Sequence, residues 1–121
     1  MVESTSVTPE GRITPEDVGI WSDAHSEALK PLVEYAHSQS QKIGIQISHA
    51  GRKASTIAPW LPGDSLARKQ VGGWPDNVVG ASPIPFDHDY PHPRELTKDE
   101  LKGLVEAFKD AAARAVQAGF E

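Results

Sequence analysis

Gln46, His49, Arg52 and Lys53 are the side chains of this chain best placed to do chemistry. They fall together in the stretch Ile43-Gly-Ile-Gln-Ile-Ser-His-Ala-Gly-Arg-Lys53. The apolar run 43–48 reads as a buried strand, and Gln46 interrupts it. A carboxamide both donates and accepts hydrogen bonds. Buried without partners, it costs roughly 1–3 kcal/mol. His49, Arg52 and Lys53 follow where the strand ends. In α/β proteins, ligands bind outside the carboxyl ends of parallel strands. From these residues alone two readings stay open. Either this is a binding edge, or it is a strand whose Gln and His satisfy nearby backbone.

Asp87, His88, Asp89 and His92 form a second polar cluster. Pro91 and Pro93 flank it, so the segment reads as an extended loop with no helix face to fix ligand spacing. Zinc sites use three or four ligands at tighter, defined spacing, and the expectation is no metal. His25 and His37 lie about three turns apart on one predicted helix and are expected to be exposed. Nucleophile-elbow, P-loop and dinucleotide-binding glycine motifs are absent.

The elements that must position these groups follow from periodicity. Residues 1–7 alternate and read as a strand or the end of one. Thr8-Pro-Glu-Gly and Thr14-Pro-Glu-Asp are turn sequences. Residues 22–41 read as a helix, with Ser22 and Asp23 as capping candidates. Its apolar positions Ala28, Leu29, Leu32, Val33 and Ala36 recur at helical spacing, and Ser40 extends the same series. Pro31 should kink this helix or split off its first turn. A helix followed at once by a buried strand is the unit that builds parallel sheets.

Residues 52–96 show no sustained period and contain Pro59, Pro62, Pro75, Pro83, Pro85, Pro91 and Pro93. A segment this long without a period is either a surface excursion packed by its own aromatics, Trp60 and Trp74, or a functional loop over a site. Residues 98–118 form the clearest helix. Thr97-Lys-Asp-Glu100 is a capping box. Leu101, Leu104, Val105, Phe108, Ala111, Ala112, Ala115 and Val116 make one stripe, and Gly119 stops the helix. A further strand is expected to start at Phe120.

The chain has 121 residues, enough for one domain, and a net charge of −5 with both signs interspersed. That balance argues against nucleic acid, whose binders carry a basic face. No apolar run reaches membrane-spanning length, and Met1-Val-Glu-Ser has no signal-peptide pattern. With no Cys there is no disulfide framework or thiolate metal site. These features fit a cytoplasmic protein.

Three blocks, Val2-Glu-Ser-Thr-Ser-Val-Thr-Pro-Glu-Gly-Arg-Ile13, Gly19-Ile-Trp21 and Gly44-Ile-Gln-Ile-Ser-His-Ala-Gly-Arg-Lys53, together resemble the Old Yellow Enzyme family. The likeness is greatest to its thermophilic-type bacterial and fungal ene reductases, and least over residues 55–95. The resemblance implies a (β/α)8 barrel that binds FMN and reduces activated alkenes, small molecules, with NAD(P)H. Such a barrel runs to about 250 residues. The fold class expected here is therefore α/β, a partial barrel from roughly strand two to the start of strand four. Residues 1–121 would form a partial FMN-binding domain, with 52–96 a long loop within it.

Residue by residue, the resemblance places Gln46 on the flavin pyrimidine edge, where a carboxamide can donate to one group and accept from another. It places Ser4 where the family's backbone, usually at Ala or Gly, meets the flavin ring. It gives His49 and Arg52 a mainly structural role on the side of the pocket away from the FMN phosphate. Arg52 could pair with a carboxylate of the barrel rim or make only a surface ion pair of little worth, and Gly51 is expected to serve backbone conformation or close approach. The family's substrate-binding histidine pair, its phosphate-binding basic residues and its tyrosine proton donor have no match here, since neither Tyr35 nor Tyr90 fits. No catalytic residue is assigned.

The isolated 121-residue chain is accordingly expected to show no turnover. Its exposed strand edges invite association, which makes a homo-oligomer an open expectation. Two alternatives stand beside this reading. One is a non-catalytic fragment or pseudoenzyme that needs a partner. The other is a small α/β binding module unrelated to flavin.

Overall fold

A computed structural model describes residues 1–121. Strand β1 (Val2–Ser6) leads through a short 3-10 turn at Pro9–Gly11 to helix α1 (Asp23–Ser38) and strand β2 (Ile45–Ser48). After a long excursion come the two-residue strands β3 (Val79–Gly80) and β4 (Arg94–Glu95), then helix α2 (Lys98–Ala118). β1 and β2 pair in parallel, as do β3 and β4. For β1 and β2, with α1 between them, parallel pairing is the expected outcome of a strand–helix–strand unit.

Helix α1 is shorter than its periodicity suggests. Ser22 caps its start, its side chain accepting from the His25 N–H. The helix continues through Pro31, which lies exposed, so the proline's missing N–H is tolerated in an unbroken element. It stops at Ser38 because Ser40 adopts φ 56°. The Gln41 N–H then returns to the Ala36 carbonyl at 3.0 Å and the Ser40 N–H to His37 at 2.8 Å. This is a left-handed helix stop of the kind glycine usually makes.

α2 packs against both α1 and β2 around a core of Val7, Ile20, Val33, Ala111, Ala115, Ala118 and Phe120. Alanines on the buried face of α2 let the helices approach closely. A Cβ at Gly119 would stand 3.1 Å from Val33 Cγ1, and its φ of 96° also calls for glycine. The apolar stripe of α2 is divided. Ala111, Ala115 and Ala118 are buried, whereas Leu101, Val105 (65% exposed) and Val116 (72% exposed) are not. The α1–α2 and α2–β2 contacts cover only one side of the stripe. Beyond the helix the Glu121 N–H donates to the Ile43 carbonyl at 3.1 Å, so the chain is pairing alongside the start of β2. No helix is long and apolar enough to cross a membrane.

The excursion is organised mainly by small residues: of its two tryptophans Trp60 is 81% exposed, and only Trp74 packs in. Ser55 is fully buried. Its Oγ donates to the Ala67 carbonyl at 3.2 Å and accepts from the Trp74 N–H at 2.8 Å. Ala54, Ala67 and Val78 are buried in the same segment. A Cβ at Gly73 would stand 2.0 Å from the Ala67 carbonyl oxygen, so only glycine fits there. The Trp74 indole N–H donates to the Glu10 carbonyl at 3.0 Å, tying the excursion to the loop after β1.

The α2 capping box forms as read. Thr97 Oγ1 accepts from the Glu100 N–H at 3.2 Å, and the Glu100 carboxylate accepts from the Thr97 N–H at 2.8 Å. Glu100 also takes two hydrogen bonds from the Arg94 guanidinium, which with Thr97 lower its pKa to about 2. Thr97→Ala is expected to cost about 1 kcal/mol of unfolding free energy at neutral pH, read from urea melts at constant m-value. The Glu100 contribution is present above the ordinary glutamate range near 4.5 and is lost as pH falls toward 2. Glu100→Gln should therefore flatten the acid limb of stability over that window.

Candidate functional site

The site is built on a defect in β1. The register pairs Val2 with Ile45 but Thr5 with Ile47, so β1 carries an extra residue in that interval. Ser4 occupies the bulge at φ 47°. A non-glycine residue in this region costs roughly 1–2 kcal/mol. The bulge takes the Ser4 N–H out of the ladder, and that N–H donates to Gln46 Oε1 at 2.9 Å. Ser4 Oγ and Ser48 Oγ approach to 3.5 Å on the same side.

This contact settles the orientation of the Gln46 amide. A backbone N–H can only donate, so the carboxamide must turn its oxygen toward Ser4. Nε2 is left as a donor without a partner in the chain. Gln46 is exposed, contrary to the buried amide expected from its apolar neighbours. The strand period explains the difference. Ile45 and Ile47 pack against the core beside the helices, and Gln46 projects to the other face. Nothing in this two-stranded sheet covers that face.

His49 follows at the carboxyl end of β2 and is half-buried. Its ring lies over Gly11, where a Cβ would stand 2.5 Å from Cδ2. Nδ1 accepts from the Gly51 N–H at 3.0 Å, which places the ring hydrogen of neutral His49 on Nε2. Burial lowers the His49 pKa below its ordinary 6.5, with Glu10 opposing. Gly51 has φ 57°, the backbone role expected of it. Arg52 makes no ion pair with a carboxylate. Its guanidinium lies 5.7 Å from the Phe86 ring centre, and Nη1 reaches the Ile84 carbonyl at 3.5 Å.

The remaining polar residues lie apart from this edge. His25 is half-buried and not exposed, because its ring packs edge-on to Trp21 at 4.3 Å. His37 is exposed. Asp87, His88 and Asp89 gather their ligand atoms within 4.8 Å, and His92 stands outside the group. Both carboxylates already have partners, Asp87 in the His88 ring and Asp89 in the Ser65 hydroxyl. Tyr35 is exposed on α1, and Tyr90 packs edge-on to Phe86 at 4.9 Å.

Sequence reasoning missed Arg12. Its guanidinium lies between Trp21 (5.5 Å) and Trp74 (4.5 Å) and donates to the Pro9 and Pro15 carbonyls. It stiffens the loop that carries Glu10 and Gly11 beside His49. Trp21 and Trp74, two of the three tryptophans in a chain with few aromatic residues, were the available signal.

Comparison with known proteins bears on this arrangement. A model of the NADH:flavin oxidoreductase / NADH oxidase family matches residues 1–121. The chain is 53% identical over 122 residues to NADH:flavin oxidoreductase FG08077 of Gibberella zeae. It is 43% identical over 121 residues to NADPH dehydrogenase of Bacillus subtilis. Each match covers 100% of this chain, which spans 30% of the length of either relative. Among solved structures, morphinone reductase superposes with a TM-score of 0.72 at 26% identity. That match covers 97% of this chain and 32% of that one.

The half-buried imidazole of His49 carries a pH signature. Because the folded pKa of His49 is lowered, its share of stability is full above the unfolded value near 6.5 and is lost as pH falls through it. His49→Gln, which can still accept from the Gly51 N–H, removes that dependence. Thermal melts of the native chain should therefore decline more steeply between pH 7 and 5 than those of the variant. Parallel curves would assign the neutral form to another cause.

Proposed function

The chain belongs to the NADH:flavin oxidoreductase / NADH oxidase family, the Old Yellow Enzyme family, and on that premise we propose that residues 1–121 supply one edge of the FMN site in an enzyme that reduces activated alkenes with NAD(P)H. Members of this family use FMN and NAD(P)H. Because the chain spans 30% of its curated relatives, the activity of the whole protein is part of the proposal. The fold reading is an arc of a (β/α)8 barrel from the second strand to the start of the fourth, with 52–96 as a long loop on it. A cytoplasmic setting fits a chain without cysteine.

The observation that carries this reading is the Ser4–Gln46 hydrogen bond. It holds the Gln46 carboxamide with Nε2 outward, a donor suited to a carbonyl of the flavin pyrimidine ring. The second lone pair of Oε1 remains available to a ring N–H. The bulge at Ser4 brings backbone to the same edge of the sheet. This donor set fits an uncharged heteroaromatic edge better than a metal or a phosphate.

FMN bound at this edge would supply the hydride chemistry between NAD(P)H and an alkene activated by a carbonyl. The residues of this chain bind and orient. Gln46 fixes the in-plane register of the ring. Ser4 fixes Gln46. β2, braced by α1 and α2, keeps both from moving, and preorganisation of this kind is how a positioning group contributes to rate.

Flavin titration in the protein carrying these residues tests the reading. Gln46→Ala should weaken FMN about tenfold, the worth of one to two hydrogen bonds. Ser4→Ala keeps the backbone N–H and should leave affinity within about twofold. Unchanged FMN affinity in Gln46→Ala would remove Gln46 from the site.

A further inference from the structure

Three positions in the chain pair a hydroxyl with a following proline: Thr8-Pro9, Thr14-Pro15 and Ser82-Pro83. The two threonine hydroxyls are committed. Thr8 Oγ1 accepts from the Gly11 N–H at 3.1 Å, and Thr14, which is buried, donates to the Asp17 carboxylate at 2.7 Å. Ser82 is half-buried, its hydroxyl enters no hydrogen bond of the chain, and it sits where no regular element forms. Pro83 and Pro85 bias the segment around it toward extended backbone. Arg52 runs alongside this segment. Its side chain starts beside Gly80, where a Cβ would stand in ordinary contact, 3.6 Å from Arg52 Cβ. It ends with Nη1 3.5 Å from the Ile84 carbonyl, so it spans the stretch that carries Ser82. Lys53 joins it there. Lys53 Nζ lies 4.0 Å and the Arg52 guanidinium 5.7 Å from the centre of the Phe86 ring. Neither cation takes part in any ion pair of the chain. Both, with Ser82, line one open cleft of about 480 Å³.

We propose that Ser82 is a phosphorylation site and that its phosphate docks on Arg52 and Lys53. The donor is ATP, used by a serine/threonine protein kinase that reads proline after the acceptor. Ser82 Oγ forms a bond to the γ-phosphorus, the bond from that phosphorus to its bridging oxygen breaks, and ADP leaves. The hydroxyl proton passes to the base of the kinase. A phosphoserine carries about −1.5 to −2 charge at neutral pH and three acceptor oxygens, which matches two cations that have no anion. Two like charges drawn to one ring repel each other, and a dianion between them reverses that cost. The arginine fork takes paired oxygens, and lysine adds a point charge. Unmodified, residues 82–86 meet the turn after β2 through one long Nη1 contact and the Phe86 ring. Modified, they are pinned to that turn, which follows His49 directly. The mark thus sets the order of this wall of the chain. The inference stands apart from the flavin reading, since no residue of the Gln46 edge enters it.

Two experiments on the full chain test the site and its docking. Treatment with ATP and a proline-directed serine/threonine kinase, read by peptide mass spectrometry, should place phosphate on Ser82 and leave Thr8 and Thr14 unmodified. Phosphoserine incorporated at Ser82 during translation then reports the docking through phosphorus nuclear magnetic resonance across pH. Its second phosphate pKa, about 6 when free, should fall by about half a unit or more beside the two cations. In an Arg52→Gln/Lys53→Gln variant with an unchanged circular dichroism spectrum it should return to about 6. Arg52→Lys, which keeps the charge, should keep most of the shift, a result that a merely structural role for Arg52 would not give. Amide exchange over residues 80–86 should slow about tenfold on modification, and only while both cations are present. A kinase that leaves Ser82 unmodified, a phosphate pKa indifferent to the two cations, or exchange that modification does not slow overturns the proposal.

Discussion

A single backbone N–H, that of Ser4, links the irregular part of this fold to its chemistry. In a regular parallel ladder it would bond to the neighbouring strand. The bulge between Val2 and Thr5 turns it aside, and the Gln46 carboxamide takes it up at 2.9 Å. The strain of a serine at φ 47° and the loss of a ladder bond are set against one well-directed hydrogen bond. What results is an amide with a defined face. Bulges commonly re-aim groups at sites in this way, and backbone strain tends to collect where a structure is used.

The rest of the chain holds that bulge still. β2 is fixed from behind by Ile45 and Ile47 against the helices, and the helices are fixed to each other through alanines and Val33. Ser6 bonds on both sides, its N–H to the Val18 carbonyl and its carbonyl to the Ile20 N–H, which anchors β1 immediately after the bulge. Arg12 and Trp74 tie the following loop to the excursion. His49, seated on Gly11 and accepting from Gly51, closes the carboxyl end of β2.

Much of this was legible from residue order. Thr97 and Glu100 announced α2 because a capping box depends only on local chemistry. The run 43–48 announced β2, and the three motif blocks announced the family and its flavin. Features that depend on tertiary geometry were not legible. Ser40 ends α1 in a left-handed conformation that no glycine signals. The exposure of Gln46 and of half the α2 stripe depends on which faces find neighbours, and periodicity says which residues share a face but not what covers it. The excursion looked structureless because its order comes from Ser55, Ala67 and Gly73, and small polar residues leave no periodic trace. Arg52 could have met a carboxylate, in the barrel rim or on the surface, and lies over Phe86 instead.

The central claim is that the Ser4 N–H orients Gln46 and leaves Nε2 free for a ligand. Amide exchange followed by nuclear magnetic resonance on the native chain reads both groups at once. The account predicts a protected Ser4 amide in the free protein, a rapidly exchanging Gln46 side-chain NH₂, and protection of that NH₂ on adding FMN while Ser4 stays protected. An unprotected Ser4 amide, or a Gln46 NH₂ unaffected by saturating FMN, would contradict it.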